Sequence, residues 1–399
     1  MTPALPVLEK RAINLPLIVL ARICTTAIFM TYPACLSQLL DIWAMSAAEA
    51  GLVQGVFTAG FALSLLVSSF LCDRIGAKPV FKLATLLSAL SALLFGLFAR
   101  SFETAWPLIG LMGLAQGGTY TPAIMLVAAS APLDKKASAV GWVLAGMSAG
   151  YAISITLSTT MMALYDYEAA FLATAAITVL GWVLGHLAVV HATDRAPEVS
   201  PSDELYSPSM KRRTTLLTLG YIGHCWELFG AWAWVPAFLA AAVLARDVMS
   251  PIELGLWTAL ALHLSGFFAS FLSGYAADRF GARPVLLGFA LLGGLCSLSI
   301  GWLIDLSMAW LLLLIALYGF ATIGDSSVLS SAMTDSVPAR HLGRALGLRS
   351  IQGVGAGALA PVVFGITLDL ASPTGAWGYA FSTLAVGAVI ATFCAFRLE

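Results

Sequence analysis

The sequence predicts an all-α membrane protein in which two similar six-helix units follow one another along the chain. Three observations support this class: the composition, the number of long apolar segments, and a polar hairpin that occurs twice. Apolar residues make up 60% of the chain and charged residues only 10%, whereas about a quarter of a soluble domain is charged. Open β structure is excluded because backbone groups in lipid must be satisfied internally.

A helix needs about 20 apolar residues to cross a bilayer, and twelve segments of roughly this length are present. We predict spans at 14–40, 49–72, 79–99, 105–130, 138–163 and 168–191, then at 215–245, 252–277, 284–304, 307–334, 343–369 and 376–396. The predicted domains are therefore residues 1–191 and 214–399. A polar cytoplasmic linker at 192–213 joins them.

The polar hairpin between the second and third spans recurs between the eighth and ninth. The sequence SFLCDRIGAK at 69–78 is matched by GYAADRFGAR at 274–283, which is 205 positions later. Other matches have an offset of 206: Gly113, Ala115 and Gly118 recur as Gly319, Ala321 and Gly324, and Ala139 and Gly141 recur as Ala345 and Gly347. Such an internal duplication is typical of secondary transporters.

The basic residues predict the orientation. If the N-terminus lies inside, the inner segments hold 17 of the 20 Lys and Arg residues, and only Arg100 and Arg246 fall on outer loops. The positive-inside rule then places both termini in the cytoplasm. We expect a multi-pass protein of the plasma (inner) membrane. The first apolar run is long and lacks a small-residue cleavage site, so no cleavable signal is evident.

The doubled hairpin and the twelve spans resemble the major facilitator superfamily over essentially the whole chain. The family's loop pattern is G-x-x-x-D-R-x-G-x-R/K. The second copy is complete, with Gly274, Asp278, Arg279, Gly281 and Arg283, and the first has Asp73, Arg74, Gly76 and Lys78 but Ser69 in place of its leading glycine. The resemblance implies two bundles around a central cavity that rock to give alternating access. We interpret the hairpins as a conformational latch at the ends of helices 11 and 5; the alternative is a topology signal only.

Two patterns of the drug exporters in this superfamily are missing. Many of them carry an arginine before Gln-Gly in helix 4, where this chain has Gly113 ahead of Gln116. Proton-driven exporters carry G-P-x-x-G-G in helix 5, whereas this chain has Gly146 and Gly150 without a proline between them. Drug efflux is therefore the less favoured interpretation.

Three acids or bases within the predicted spans clearly qualify as charges near mid-membrane: Arg22, Glu227 and Asp325. A charge near mid-membrane costs about 2.5–3.5 kcal/mol on insertion scales, so it usually faces a cavity and has a function. The offset of 205 pairs Arg22 with Glu227, although aligning Pro33 with Pro236 gives 203. We expect both to face the central cavity; the alternative is a buried ion pair that braces the two halves.

Further candidates are polar or aromatic residues within the same spans. His224 and Glu227 are three residues apart and share a helix face, but that pair alone does not make a metal site. Trp232 and Trp234 are expected nearer the outer interface, as anchors. Candidates for solute binding or proton coupling are His224, Trp226, Tyr221, Gln116, Tyr120 and Gln352, with Gln38, Tyr32, His263 and Arg349 of lower rank.

The sequence thus predicts a secondary transporter rather than an enzyme, with neither cofactor nor metal. We expect a small polar or anionic solute bound by Arg22, with Glu227 or Asp325 carrying a proton. The alternative is a proton-driven exporter of an amphipathic or cationic compound. An ATP-driven pump is excluded because the chain lacks a phosphate-binding loop. The expected partners are the solute, protons and lipid, and the expected state is a monomer.

Overall fold

The computed structural model describes residues 13–132, 135–192, 207–244, 246 and 249–398, without the side chains of 136, 137 and 339–343. All regular structure in these ranges is helical. The helices are α1 (Leu15–Thr26), α2 (Thr31–Ile42), α3 (Ala47–Ile75), α4 (Ala77–Phe98), α5 (Phe102–Gly117), α6 (Tyr120–Ser130), α7 (Lys136–Leu164), α8 (Tyr167–Val189), α9 (Pro208–Leu244), α10 (Pro251–Ala259), α11 (Ser265–Phe280), α12 (Ala282–Ser299), α13 (Met308–Thr334), α14 (Ala339–Gly357), α15 (Ala360–Leu370) and α16 (Ala376–Arg397). A π-helical turn, Leu260–Leu264, joins α10 to α11, and a 3₁₀ turn, Ile300–Leu303, follows α12.

Within the described residues, eleven segments are long and apolar enough to cross a membrane, and each coincides with a predicted span. The predicted span 105–130 is the remaining one. A break at Gly118 and Thr119 divides it into α5 and α6, of 16 and 11 residues. Most of the predicted linker, 193–206, lies outside the described residues, and α9 already begins at Pro208.

Prolines explain the three places where one apolar segment forms two helices. Pro33, Pro122 and Pro361 each lie in the first turn of the second helix, in α2, α6 and α15. Proline has no N–H and its ring clashes with the carbonyl four residues earlier, so it favours a kink or a break just before it, although α5 and α9 continue through Pro107 and Pro236. Each break therefore falls a few residues before its proline.

The two hairpins have the same backbone and the same tertiary contact. Gly76 and Gly281 have φ values of +89° and +87°, a region that only glycine adopts without strain. Lys78 donates to the carbonyls of Val190 and Ala192 beyond α8, at 2.9 and 2.8 Å. Arg283 donates to the carbonyl of Phe396 at the end of α16, at 3.0 Å. Each basic residue thus neutralises the carbonyl end of the last helix of its own half.

Packing between helices fixes the correspondence of α1 and α9. A Cβ on Gly150 of α7 would lie 2.6 Å from the carbonyl oxygen of Ile23 in α1. A Cβ on Gly357 of α14 would lie 2.8 Å from the carbonyl oxygen of Cys225 in α9. Ile23 therefore corresponds to Cys225, which is an offset of 202 rather than the 205 of the hairpins.

The offset of 202 changes the predicted equivalence of the charged residues. The counterpart of Arg22 in α9 is His224, and the counterpart of Glu227 in α1 is Thr25. Three residues rotate an α-helix by about 300°, which is about 60° short of a full turn. Glu227 is therefore displaced from the counterpart of Arg22 by about 60° around α9 and about 4.5 Å along it, and the predicted pairing by register does not hold.

The two ends of the molecule differ in how closely the sequence halves approach. We call the end that carries the hairpins 69–78 and 274–283 the hairpin end. At the opposite end a Cβ on Gly51 of α3 would lie 2.2 Å from the carbonyl oxygen of Pro361, and the Asp369 carboxylate accepts the N–H groups of Ala47 and Ala48 at 2.9 and 2.8 Å.

Glycines at the hairpin end have no such neighbours. Gly141 of α7 and Gly347 of α14 have no described atom within 4 Å of a Cβ position. The described residues therefore bring the halves into contact at the opposite end and leave open space beside Gly141 and Gly347 at the hairpin end, which we interpret as a cleft between the halves.

We predict that Gly281→Ala lowers the free energy of unfolding by about 1–3 kcal/mol, the usual cost of a non-glycine residue in this backbone region. Gly288→Ala, in the middle of α12, is the matched control. Neither position has a described atom within 4 Å of a Cβ, so steric contacts do not distinguish the two substitutions. Gly288 does not have positive φ and lies inside α12, where Ala is favoured over Gly. Thermal unfolding of the purified protein in detergent measures both. Equal stability of the two variants would contradict the prediction.

Candidate functional site

Arg22 of α1 is a buried cation without a protein counter-charge. Its side chain is 2% exposed, and its Nη1 donates to the hydroxyl of Thr119, 2.5 Å away in the break between α5 and α6. Its Nε is buried and has no hydrogen-bond partner. Among the described residues no carboxylate lies within 4.0 Å of the guanidinium. Such a charge is costly in an apolar interior unless something neutralises it.

Two tyrosines lie beside Arg22. The hydroxyls of Tyr120, in α6, and Tyr151, in α7, are close enough to the guanidinium to interact with it electrostatically. Tyr120 also interacts with Arg349 of α14. Tyr120 therefore interacts electrostatically with one arginine from each sequence half.

Arg349 is the residue that sequence reasoning ranked too low. It is buried, it donates to the carbonyl of Leu329 and to the hydroxyl of Ser330, both at 3.1 Å, and its guanidinium lies 4.2 Å from the ring centroid of Tyr221. Its Nε has no partner either. Its position several residues inside the predicted span 343–369 is the signal that could have found it.

His224 and Asp325 occupy in the second half the positions of Arg22 and Thr119 in the first. His224 Nδ1 lies 2.7 Å from Asp325 Oδ1, and both side chains are buried. Asp325 Oδ1 has no partner in hydrogen-bond geometry, so the contact is a close approach of acid and base rather than an aligned hydrogen bond. The ring of Tyr221 lies 5.5 Å from that of His224. A continuous row thus joins Arg349, Tyr221, His224 and Asp325.

Glu227 points away from Arg22, into the second half. The hydroxyl of Ser297, in α12, donates to its Oε1 at 2.6 Å and also contacts the hydroxyl of Tyr318, in α13, at 2.8 Å. A Cβ on Gly293 would lie 2.9 Å from Glu227 Oε2. In the described part of the chain no ion pair within 4.0 Å joins Arg22 and Glu227. The structure does not bring the two predicted partners together.

Two other predicted site residues hold helices together. Gln116 is 1% exposed and donates through Nε2 to the carbonyl of Thr25 and the hydroxyl of Ser88, at 2.6 and 2.7 Å, so it connects α5 with α1 and α4. The indole N–H of Trp226 donates to the carbonyl of Thr383, in α16, at 3.0 Å. Both positions serve packing within one half.

Three other residues predicted from the sequence are Gln352, Gln38 and Tyr32. Gln352 and Gln38 are exposed, and Gln38 lines a cavity of about 580 Å³ at the opposite end of the molecule. The Tyr32 hydroxyl donates to the carbonyl of Ala50 at 3.1 Å and connects α2 to α3. These three do not belong to the arginine cluster.

The hairpin charges are exposed in this conformation. Asp73, Arg74, Asp278 and Arg279 all have exposed side chains, and Gly274 has no described atom within 4 Å of a Cβ position. The latch contacts are predicted at the start of α14 and of α7. Most of the side chains there lie outside the described residues. The latch stays a prediction.

An aromatic cluster lies between the two sequence halves, and sequence reasoning missed it. Tyr151 contacts the rings of Phe29, Trp232 and His263, with centroids 4.7, 5.3 and 5.5 Å away. Trp232 also contacts Phe29, at 6.0 Å. Trp232 and Trp234, expected as interfacial anchors, are both buried. Trp232 belongs to this cluster, and the indole N–H of Trp234 donates to the carbonyl of Pro361 at 3.0 Å.

Comparison with known proteins settles the family. The sequence model of the Major Facilitator Superfamily matches residues 16–245 and 217–399. The chain belongs to the major facilitator superfamily. It resembles a bacterial homologue of the human lysosomal transporter Spinster, solved in an inward-facing and occupied conformation, with a TM-score of 0.76, 17% identity and 96% of each chain covered. That likeness concerns the fold alone.

Similar sequences within the major facilitator superfamily include three bacterial transporters. The gallate transporter of Pseudomonas putida is 23% identical over 80% of this chain and 76% of its own length. The cis,cis-muconate transport protein of Acinetobacter baylyi is 24% identical, over 80% and 79%. The benzoate transport protein of the same species is 22% identical, over 92% and 85%. The predictions of a multi-pass membrane transporter and of a protein that is not an enzyme are confirmed.

Proposed function

We propose that this chain is a secondary transporter for a small organic anion, whose carboxylate binds between Arg22 and Arg349 in the cleft. The observation that carries the proposal is the pair of buried arginines, one from each half, with unpartnered Nε atoms. Planar guanidinium groups bind carboxylates through two parallel hydrogen bonds. The hydroxyl of Tyr120, which interacts with both arginines, can donate to the same carboxylate.

The related transporters support the same class of solute. Gallate, cis,cis-muconate and benzoate are all small carboxylates, and each names one of the similar proteins. The alternative, an exporter of an amphipathic cation, requires acids that face the cleft. Glu227 instead accepts a hydrogen bond from Ser297, and Asp325 lies against His224. Among the described residues, Arg22 and Arg349 are buried charged side chains that have no carboxylate within 4.0 Å and whose Nε lacks a partner, whereas the Glu227 carboxylate is hydrogen-bonded, so we favour an anion.

We further propose twelve spans in two six-helix bundles, with α5 and α6 together forming the fourth span and both termini in the cytoplasm. The repeated hairpin contacts of Lys78 and Arg283 support the two bundles. The hairpin end then faces the cytoplasm, and the cleft opens inward.

We predict that a reporter that fluoresces only in the cytoplasm is active when fused after Glu399 and silent when fused after Asp166, between α7 and α8. An alkaline phosphatase, active only outside the cytoplasm, is the matched reporter and gives the reverse pattern. Fluorescence at both positions would contradict the orientation.

We predict that Arg22→Gln abolishes uptake of labelled benzoate and removes its protection of the purified protein against thermal unfolding. Glutamine keeps a hydrogen-bond donor but not the charge, so the variant tests the ionic contact. Arg100→Gln is the control and should transport normally, because it removes an exposed pair with Glu168 at 3.2 Å and two hydrogen bonds to the carbonyls of Gly96 and Ala99, all remote from Arg22. Neutral benzamide should not protect the wild-type protein. Retained benzoate binding in Arg22→Gln would refute the proposal.

We propose that the His224–Asp325 pair couples transport to protons. A proton taken up by this pair changes the charge in the row that ends at Arg349, and so changes the attraction of Arg349 for an anion. Glu227 interacts electrostatically with Asp325 but is separated from the cleft by its own contacts. Asp325 is therefore the better candidate for the proton carrier.

We predict that Asp325→Asn abolishes accumulation driven by an imposed pH gradient in proteoliposomes, while exchange of labelled for unlabelled benzoate continues. Exchange does not require net proton movement, so it shows that the variant is folded and binds the solute. Glu227→Gln is the matched control and should keep gradient-driven accumulation. If Glu227→Gln loses accumulation and Asp325→Asn keeps it, the assignment is reversed.

A further inference from the structure

Two polar atoms in the aromatic cluster lack hydrogen-bond partners. Trp232 of α9 and His263 of the π turn contact each other, with ring centroids 5.5 Å apart, and both contact Tyr151. Trp232 is 9% exposed and His263 is 2% exposed. Trp232 Nε1 and His263 Nε2 are both buried without a partner among the described residues. A buried polar nitrogen that is left unpaired costs free energy. Two such nitrogens on rings that contact each other therefore point to a ligand group that binds both.

The backbone at His263 is also unusual. Residues Leu260–Leu264 form a π turn between α10 and α11. Such turns are rare and occur frequently at functional sites. The inserted residue changes the direction of the side chains that follow, and here it accompanies the contact of His263 with Trp232. The π turn therefore occurs at the residue whose ring nitrogen is unpaired, next to the unpaired nitrogen of Trp232.

The spacing along α9 gives the separation along the helix axis between Trp232 and the level of Arg22. His224 is the counterpart of Arg22, and Trp232 lies eight residues further along α9, a rise of about 12 Å. Tyr151 connects the two regions, because it interacts with Arg22 and contacts both Trp232 and His263. A single aromatic ring with a hydrogen bond of about 3 Å at each end fits this distance.

We propose that Trp232 and His263 together bind a hydroxyl group on the ring of an aromatic carboxylate, and so make the transporter prefer hydroxylated aromatic acids. The proposal rests on the proposed anion-binding function of Arg22. The indole N–H of Trp232 only donates, whereas His263 Nε2 donates or accepts according to its tautomer. A phenolic hydroxyl both accepts and donates, so one such group satisfies the two nitrogens at once. A purely structural cluster would not distinguish ring substituents.

The test measures uptake of labelled benzoate and compares unlabelled benzoate with 4-hydroxybenzoate as competitors. It uses the wild-type chain and three variants of the aromatic cluster. We expect 4-hydroxybenzoate to compete about tenfold better than benzoate in the wild type, which corresponds to one net hydrogen bond. Trp232→Phe and His263→Leu should each bring the ratio of competition by the two acids close to one. His263→Gln, which keeps a polar group near Nε2, should retain the preference.

Each outcome discriminates. Equal competition by the two acids in the wild type overturns the proposal without any variant. Variants that lose both competitors equally show that the cluster only packs, and also overturn it. If neither acid competes in the wild type, or if Arg22→Gln leaves both unaffected, the proposed anion-binding function has failed and this proposal fails with it.

Discussion

The constraint on which the rest of this structure depends is the cost of a positive charge buried in an apolar interior. Arg22 and Arg349 bring such charges from both sequence halves, and the described residues place no carboxylate within 4.0 Å of Arg22. Two guanidinium groups that approach each other without an anion repel, and this repulsion is strong where the dielectric constant is low. With an anion between them, both are attracted to the same charge. Under the proposed function, the solute itself makes closure of the cleft favourable.

Duplication gave the two halves equivalent positions, and the side chains there have diverged. In the first half Arg22 contacts the uncharged Thr119, so its charge remains available to a ligand. In the second half His224 lies 2.7 Å from Asp325, so acid and base are held against each other. The first arrangement suits binding of an anion and the second suits exchange of a proton. Under the proposed function, the two halves therefore differ because different residues occupy two equivalent positions of the repeated helices.

The sequence predicted the architecture better than the site because the two depend on different signals. Hairpin residues recur at an offset of 205 and helix glycines at 206, and the positive φ of Gly76 and Gly281 favours glycine at both turns. This was enough to find the repeat. The register of α1 against α9 could not be obtained from charges, because Glu227 is three residues beyond the true counterpart of Arg22. The small-residue pairs Gly146 and Gly150, and Gly353 and Gly357, carry that register. Sequence reasoning did not use them.

Three breaks between helices and one π turn interrupt the α-helices, and their positions are evidence that does not depend on the charged side chains. Non-helical backbone at membrane depth leaves polar groups unpaired, so it is tolerated only where it is buried in protein or lines a cavity. Four such points occur in the described chain. The break before α2 lies at Phe29 of the aromatic cluster, and the break before α6 holds Thr119 against Arg22. The π turn carries His263, and the break before α15 places the Ala358 carbonyl against α3 of the other half. Three of these four points therefore make contacts between the halves, and the fourth holds Arg22 of the candidate site.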